Sequence, residues 1–350
     1  MTPSAARHDD TALPRRLALL VVLAIAATLC AVWWGHAGGA ASPGALSAIQ
    51  AQATPAPVTG VFIEPGDGRA PLLDEIAAAR VAIDLEVYII TDEVILAALE
   101  DAQRRGVRVR VILEQHPFGG GGGQEAIFAR LENAGIAVRW GNPAFRFTHI
   151  KTMTIDDEVA IIMNQNITSS AFTTNRDFGV ITNDPAAVRT AAAIFAADWD
   201  RGSEPPPTPL VVSPTNAREQ LLGLVQSARQ SLDVYAEVLR DPEILEALIA
   251  AETRGVQIRI VVSPSPDFAA ERHQLATAGI DIRLMGHLYV HAKVIIADGE
   301  RAFVGSQNLS ATSLDQNREL GIVVADPINL ARLARTFEID FRAGTPQETP

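Results

Sequence analysis

The chain has 350 residues, of which 48% are hydrophobic and 20% are charged, enough for two domains with buried cores; this composition excludes wholesale disorder. Its single cysteine, Cys30, excludes an intramolecular disulfide and a cysteine-based zinc site. The net charge of −12 disfavours binding to nucleic acid through phosphate contacts, so no nucleic-acid partner is expected.

An apolar segment near the N-terminus predicts a transmembrane helix. Leu17–Trp34 contains no charged residue and would be about 27 Å long as a helix, close to the hydrocarbon thickness of a bilayer. Arg15 and Arg16 precede it, so the positive-inside bias predicts a membrane anchor with the rest of the chain outside the cytoplasm. The alternative is a cleaved signal peptide and a secreted protein. Residues 1–41 are therefore assigned as signal-anchor or signal peptide, and residues 42–59 as a flexible tether.

The remainder of the chain is an internal repeat. Ala79-Arg80 recurs as Ala228-Arg229, and Arg105-Gly106-Val107 recurs as Arg254-Gly255-Val256. Each copy contains an apolar strand, an amphipathic helix, a glycine turn and a second strand, which predicts an α/β fold with a largely buried sheet. A proline-rich segment separates the copies. The predicted boundaries are 60–204 for the first repeat, 205–214 for the linker and 215–345 for the second repeat.

Five consecutive glycines, Gly119–Gly123, interrupt the first repeat. No Gly-Lys-Ser/Thr sequence follows them, so the pattern favours a surface loop over a phosphate-binding loop. A substrate lid is the alternative.

The distribution of lysine indicates where the chemistry occurs. The only two lysines, Lys151 and Lys293, each follow a histidine by two residues, in His149-Ile150-Lys151 and His291-Ala292-Lys293. In a strand, residues two apart point to the same face, so each triplet places an imidazole beside an ammonium group. The other five histidines are interpreted as core residues, with His116, beside the glycine run, as the expected exception; they are His8, His36, His116, His273 and His287.

The sequence after each lysine also repeats. The equivalent pairs, at the same spacing from each lysine, are Asp156 and Asp298, Asn166 and Asn308, and Asp177 and Glu319. This agreement predicts one constellation of side chains that the chain uses twice.

These motifs resemble those of the phospholipase D superfamily, whose signature is His-x-Lys-x4-Asp followed by a Gly-Gly/Ser-x-Asn segment. The second copy matches throughout, whereas the first has Met163-Asn164 where Gly305-Ser306 stands in the second. The resemblance implies two α/β repeats, each a mixed sheet flanked by helices, packed about a pseudo-twofold axis. It also implies one shared active site that requires no metal and no other cofactor.

Phosphodiester cleavage needs a nucleophile, an acid for the leaving alkoxide and positive groups around the phosphoryl oxygens. The two histidines can supply the nucleophile and the acid. The resemblance assigns attack to His149 and acid catalysis to His291, while the internal symmetry keeps the opposite assignment open. The phosphoryl oxygens would be bound by Lys151, Lys293, Asn166 and Asn308.

The four acidic residues of the constellation divide into two pairs. Asp177 and Glu319 are the predicted partners of the histidine Nδ1 atoms. Asp156 and Asp298, although part of the signature, are interpreted as structural residues at strand ends.

The leading functional prediction is hydrolysis of phospholipids to phosphatidic acid and a free alcohol through a phosphohistidine. The alternative is a phosphatidyltransferase of the cardiolipin synthase type, in which a lipid alcohol replaces water. A nuclease-type phosphodiesterase and a noncatalytic lipid-binding protein are less favoured. Every catalytic reading implies a phosphodiester substrate, and the leading reading implies a phospholipid. The sequence does not determine the oligomeric state.

Overall fold

The first repeat forms a mixed β-sheet. The computed structural model describes residues 55–120 and 123–348. In the first sheet the strand order is β1-β7-β6-β5-β2-β3-β4, with β2, β3 and β4 parallel and the remaining pairs antiparallel. The strands are β1 (Gly60–Glu64), β2 (Ala82–Val87), β3 (Arg108–Leu113), β4 (Ala137–Trp140), β5 (Lys151–Ile155), β6 (Val159–Met163) and β7 (Asn175–Thr182).

Helices connect these strands. They are α1 (Ala70–Ala78), α2 (Glu93–Arg104), α3 (Gln124–Asn133), α4 (Ser169–Thr173) and α5 (Pro185–Asp200), with a 3₁₀ turn at Phe118–Gly120. The turn after α2 requires a left-handed residue, which Gly106 supplies with φ = 93°. This is why the Arg-Gly-Val sequence ends a helix in both repeats.

The second repeat has the same topology. Its sheet order, β16-β11-β10-β9-β13-β14-β15-β8, places equivalent strands in equivalent positions and adds β16 at one edge. The strands are β8 (Val211–Ser213), β9 (Ser231–Ala236), β10 (Gln257–Val262), β11 (Asp281–Leu284), β12 (Tyr289–Val290), β13 (Lys293–Ala297), β14 (Arg301–Gly305), β15 (Glu319–Val324) and β16 (Thr345–Pro346). The helices are α6 (Ala217–Ser227), α7 (Pro242–Thr253), α8 (Ala269–Thr277), α9 (Ala311–Asp315) and α10 (Pro327–Ala343), with a 3₁₀ turn at Pro266–Phe268.

Matching caps begin the equivalent helices. Asp92 accepts the Ile95 N–H at the start of α2, and Asp241 accepts the Ile244 N–H at the start of α7. Both carboxylates also bind an arginine, so each cap anchors its helix to a neighbouring segment.

The two sheets, each flanked by helices, confirm the prediction of two mixed-sheet α/β halves.

Three large apolar clusters form the core of the described residues. Two of them pack helices against a sheet, one in each repeat. The third combines side chains of both sheets with α5 and α10, for example Ile162 and Phe178 from the first repeat and Val304 and Ile322 from the second. Each such buried side chain contributes about 1.5–3 kcal/mol. The two sheets therefore share a core and form a continuous unit over the described residues.

Two segments cross between the repeats beside this shared core. Strand β12 of the second repeat pairs with β7 of the first, where Tyr289 lies opposite Asn175. Thr148 of the first repeat forms an isolated bridge with Arg318 of the second. Both crossings lie next to the repeated motifs, so they place the functional side chains of the two repeats against each other.

The predicted transmembrane segment Leu17–Trp34 lies outside the described residues, as do Cys30 and most of the tether. Within residues 55–120 and 123–348, no helix is both long and apolar enough to cross a bilayer. The anchor and the extracytoplasmic location therefore remain predictions.

Candidate active site

The two motif histidines are fixed by the backbone of the opposite repeat. His149, just before β5, donates its backbone N–H to the carbonyl of Arg318 at 2.9 Å. His291, just before β13, donates its backbone N–H to the carbonyl of Arg176 at 3.2 Å. Because each histidine is bound across the interface, the two repeats can form one site only together.

The acidic partners are also exchanged between repeats. The Nδ1 atom of His149 lies 2.8 Å from Glu319 Oε2, and that of His291 lies 2.7 Å from Asp177 Oδ1. Both carboxylates are fully buried. A carboxylate at Nδ1 favours the proton on that nitrogen, so Nε2 of each neutral ring is left free for chemistry.

Two arginines, Arg318 buried and Arg176 partly buried, hold the strand ends that carry these carboxylates. Arg318, next to Glu319, binds Asp198 at 2.6 Å and Glu204 at 2.7 Å. Arg176, next to Asp177, binds Asp340 at 2.7 Å. The carbonyl of each arginine binds a motif histidine, so its ion pair helps to fix the backbone that holds that histidine.

The electrostatic environment keeps His149 neutral. Burial lowers the pKa of His149 from 6.5 to about 4; Glu319 opposes this shift and Lys151 adds to it. Burial would raise the pKa of Glu319, but His149 and Lys151 outweigh it and hold the pKa below its usual value. At neutral pH the pair is therefore an uncharged imidazole beside a carboxylate, and its free Nε2 has the lone pair that a nucleophile needs.

The two lysines are buried beside the histidines but have different partners. Lys151 Nζ donates to the carbonyl of His149 at 2.6 Å and lies 5.1 Å from the ring centre of Tyr88. Burial lowers the pKa of Lys151 to about 7, with Glu319 opposing this shift and Lys293 adding to it. Lys293 Nζ donates to the carbonyl of His291 and to Glu237 Oε2, both at 2.6 Å.

The two motif asparagines lie in the loops that follow β6 and β14. The Oδ1 atoms of Asn166 and Asn308 are buried, and neither has a hydrogen-bond partner among the described residues. A buried acceptor without a partner is costly, and a ligand group that donates a hydrogen bond would relieve this cost. Both side chains are therefore suitable for binding a substrate.

The departure of the first repeat from the signature has a structural cause. Asn164, which stands where the second repeat has Ser306, donates to the carbonyls of Lys293 at 3.2 Å and Gly305 at 2.5 Å. Its Oδ1 accepts the Phe178 N–H at 3.0 Å. Asn164 thus joins the two repeats, and both polar atoms of its side chain are hydrogen-bonded within the protein.

The signature aspartates Asp156 and Asp298 lie in turns. The Asp156 carboxylate accepts the backbone N–H groups of Arg80, Val81 and Ala82, each at 2.8 Å. Asp298 accepts the equivalent groups of Arg229, Gln230 and Ser231. Burial opposes ionisation, but these donors outweigh it and lower the pKa of both carboxyl groups. Each aspartate therefore fixes the chain entering β2 or β9.

Substitution of Asp156 should affect stability more than chemistry. Asp156→Ala removes an acceptor for three backbone N–H groups and should lower the free energy of unfolding by about 2–4 kcal/mol. Asp156→Asn, which tolerates the left-handed backbone at φ = 55°, should lose less. Denaturant unfolding and kcat per folded molecule are the measurements, with Glu158→Ala as a control in the same turn. A large loss of kcat with unchanged stability would contradict the structural role.

Sequence analysis missed two residues of the site, Tyr88 and Glu237. They occupy equivalent positions, directly after β2 and β9. The Tyr88 ring packs edge-on against His149, with ring centres 4.6 Å apart, and Glu237 lies 3.8 Å from Nε2 of His291. A signal was present, because Glu86-Val87-Tyr88 aligns with Tyr235-Ala236-Glu237 and the acidic and aromatic residues are exchanged.

His116, the expected exception, is exposed, and so is His287, for which the interpretation as a core residue is wrong. Both lie in loops that follow sheet strands. Within the described part of the chain, no cluster of three His, Cys, Asp or Glu side chains could hold a metal ion. Independence from metal remains a prediction for the whole protein.

A family model described as "Cardiolipin synthase, PLD-like domain" matches residues 72–199 and 221–341, which is most of the chain. Each match covers one repeat. The chain belongs to this family, within the phospholipase D superfamily. Membership explains why two similar half-sites are present in one chain.

Relatives of this phospholipase D superfamily member include named enzymes. A cardiolipin synthase of Geobacillus kaustophilus is 27% identical over 334 residues, covering 81% of this chain and 66% of the relative. Cardiolipin synthase B of Salmonella typhi is 26% identical over 318 residues, covering 76% of each chain. The chain thus spans slightly less than two thirds of the Geobacillus protein. The crystal structure of phosphatidylserine synthase from Haemophilus influenzae has a TM-score of 0.69 at 11% identity, covers 87% of this chain and 91% of that one, and shows the same fold.

The relatives correct the leading functional prediction. Hydrolysis of phospholipids as the main activity is wrong, because these relatives, aligned over three quarters or more of the chain, are cardiolipin synthases. The cause is physical: the same histidines and lysines cleave a phosphodiester whether water or an alcohol accepts the phosphoryl group. The motif therefore predicts the cleavage step and contains no information about the acceptor.

Proposed function

We propose that this protein is a phosphatidyltransferase of the cardiolipin synthase type. It would transfer the phosphatidyl group of one phospholipid to a hydroxyl group of a second, phosphatidylglycerol being the acceptor that yields cardiolipin. The observation that carries this proposal is the pair of histidines, each bound at Nδ1 by a carboxylate of the opposite repeat. The alignment with cardiolipin synthases over most of the chain favours an alcohol over water as the acceptor.

The first half-reaction forms a covalent intermediate. Nε2 of neutral His149 attacks phosphorus, the bond from phosphorus to the head-group oxygen breaks, and His291 donates its Nε2 proton to that oxygen. His291 suits the acidic role because Asp177 lies at its Nδ1 and Glu237 is 3.8 Å from its Nε2. When His291 carries a proton, its charged ring therefore lies between two carboxylates.

The second half-reaction reverses the roles. The acceptor hydroxyl gives its proton to His291, its oxygen bonds to phosphorus, and the bond to His149 Nε2 breaks. During both steps the charge on the phosphoryl oxygens needs fixed donors. Lys293 and the protonated form of Lys151, whose pKa is lowered to about 7, supply ammonium groups, and Asn166 and Asn308 supply amides. Together they can stabilise this charge without a metal ion.

The proposal is tested by analysis of products. The purified full-length protein is incubated with phosphatidylglycerol vesicles in EDTA, and the lipids are identified by mass spectrometry. We expect cardiolipin and one equivalent of free glycerol, with the activity unaffected by the chelator. The control without catalysis is His149→Ala. Phosphatidic acid as the sole lipid product would contradict the transferase proposal, and activity restored only by Zn²⁺ or Ca²⁺ would contradict a metal-free site.

A further inference from the structure

The two half-sites differ chemically at one equivalent position. In the first repeat, Tyr88 places an aromatic ring against His149 and below Lys151. In the second repeat, Glu237 places a carboxylate 2.6 Å from Lys293 Nζ and 3.8 Å from His291 Nε2. Burial would raise the pKa of Glu237, but Lys293 and His291 outweigh it and hold the pKa well below its usual range. At this equivalent position, the half-site of His291 therefore has an ionised carboxylate beside Nε2, whereas the half-site of His149 has an aromatic ring.

A cavity of about 600 Å³ opens next to this carboxylate. It lies beyond the ends of β9, β10 and β11, and its lining includes Glu237, Tyr289, Ser263, Ser265, Asp267 and Arg240. The hydroxyl of Tyr289 donates to Glu237 Oε1 at 3.1 Å, while Glu237 Oε2 faces Lys293. Glu237 thus connects the cavity directly to the catalytic histidine.

We propose that this cavity binds the alcohol part of the substrates and that Glu237 selects a polyol such as glycerol. A carboxylate accepts hydrogen bonds from hydroxyl groups, and two adjacent hydroxyls can bind its two oxygens. The Ser263 hydroxyl, which accepts the Val290 N–H, can still donate its proton, and the Asp267 carboxylate supplies a further acceptor along the wall. The class of ligand is therefore a neutral alcohol with more than one hydroxyl group.

A cationic head group fits this cavity less well. The charge of Glu237 is already compensated by Lys293, with a separation of 2.6 Å. Arg240 on the same wall lies beside Asp267 and offsets its charge, so the lining gives choline or ethanolamine no uncompensated carboxylate. A neutral polyol needs only hydrogen-bonding groups, which these paired side chains still offer.

The inference rests on the proposed function, because it assigns the cavity to the side of the site where alcohols leave and arrive. In the first half-reaction the departing oxygen takes the proton of His291; in the second, the acceptor oxygen returns a proton to the same nitrogen. Both oxygens must therefore lie on the Glu237 side. One cavity can serve the leaving glycerol and then the glycerol hydroxyl of the acceptor lipid.

The test compares two donor lipids that differ only in the alcohol. Head-group release from phosphatidylglycerol and from phosphatidylmethanol is measured as kcat/KM with the full-length protein, because methanol has no second hydroxyl to bind. We expect the wild type to prefer phosphatidylglycerol and Glu237→Gln to reduce this preference about tenfold. Any effect of Glu237→Gln on the common chemistry cancels in the ratio. Tyr289→Phe should reduce the preference less.

The matched control is Glu246→Gln, which removes an exposed acidic side chain from α7 in the same repeat. It should leave the ratio unchanged, and thermal unfolding verifies that each variant is folded. An unchanged ratio in Glu237→Gln, or a wild-type preference for choline or ethanolamine lipids, would overturn the inference. If phosphatidic acid is the only product and the ratio still depends on Glu237, the cavity assignment stands while the transferase proposal fails. If cardiolipin forms and the ratio does not depend on Glu237, the transferase proposal stands while the cavity assignment fails.

Discussion

Replacement of His149 by asparagine should abolish turnover, with a loss of about 10⁴-fold or more in kcat/KM. The reason is that asparagine has no nitrogen able to form the phosphoryl intermediate. The variant should also show no covalent labelling when it is mixed with a radiolabelled donor lipid and denatured in alkali, which preserves phosphohistidine. Wild-type protein should retain about one equivalent of label under conditions that slow the second half-reaction.

The control for this experiment is His273→Asn, because His273 lies on α8 outside the candidate site. Its kinetics and labelling should match the wild type. Thermal unfolding of His149→Asn shows whether Glu319, left without its imidazole partner, has destabilised the fold. Labelled His149→Asn protein, with the label mapped to His291, would reverse the assignment of the nucleophile.

The lowered pKa of His149 predicts how kcat/KM changes as the pH falls. An ordinary histidine would be protonated, and so lose its nucleophilic lone pair, as the pH falls through 6.5. Because the pKa of His149 is lowered to about 4, it stays neutral across this range. The contribution of His149 to kcat/KM should therefore be retained down to about pH 5 and decline only as the pH approaches 4.

The repeated spacing predicted most of the candidate site because the same motif occurs once in each repeat. The repeated intervals from each His-x-Lys triplet led to Asn166, Asn308, Asp177 and Glu319, all of which lie around the histidines or in the loops beside them. Duplication could not reveal which carboxylate binds which histidine. Asp177 follows His149 at the same distance as Glu319 follows His291, so sequence is compatible with pairing inside a repeat or across the interface.

The crosswise pairing is decided by the tertiary fold. Strands β7 and β15 bring Asp177 and Glu319 to the shared interface, and the backbone bonds of both histidines to Arg318 and Arg176 fix the exchange. These contacts depend on how the two sheets pack, which local periodicity does not determine. The mixed sheets themselves were predictable, because apolar strands and capped helices alternate in the same order in both copies.

Glu237 and Tyr88 were not found because they break the symmetry that revealed the other residues. A search for repeated residues discards positions at which the two copies differ, yet these differences separate a neutral, aromatic half-site from an acidic one. In a duplicated enzyme the shared residues supply the chemistry of cleavage. The unequal residues are the ones able to give the two histidines different roles.

Replacement of His291 by asparagine should produce a loss that depends on the leaving group. With phosphatidylglycerol, whose alkoxide needs a proton, kcat/KM should fall about 10²–10⁴-fold. With a phosphatidyl ester of 4-nitrophenol, whose phenolate leaves unprotonated, the first half-reaction should continue at nearly the wild-type rate. The second half-reaction lacks its base, so we expect a burst of one equivalent of nitrophenol and accumulation of label on His149.

The two histidine variants together separate the roles that the repeat makes equivalent in sequence. His149→Asn should give no burst with either donor, since removal of the nucleophile blocks cleavage whatever the leaving group. An equal loss on both donors in His291→Asn would contradict its role as acid, because an acid matters only when the leaving oxygen needs its proton. A burst in His149→Asn and none in His291→Asn would assign attack to His291 instead, and Glu237 would then flank the nucleophile.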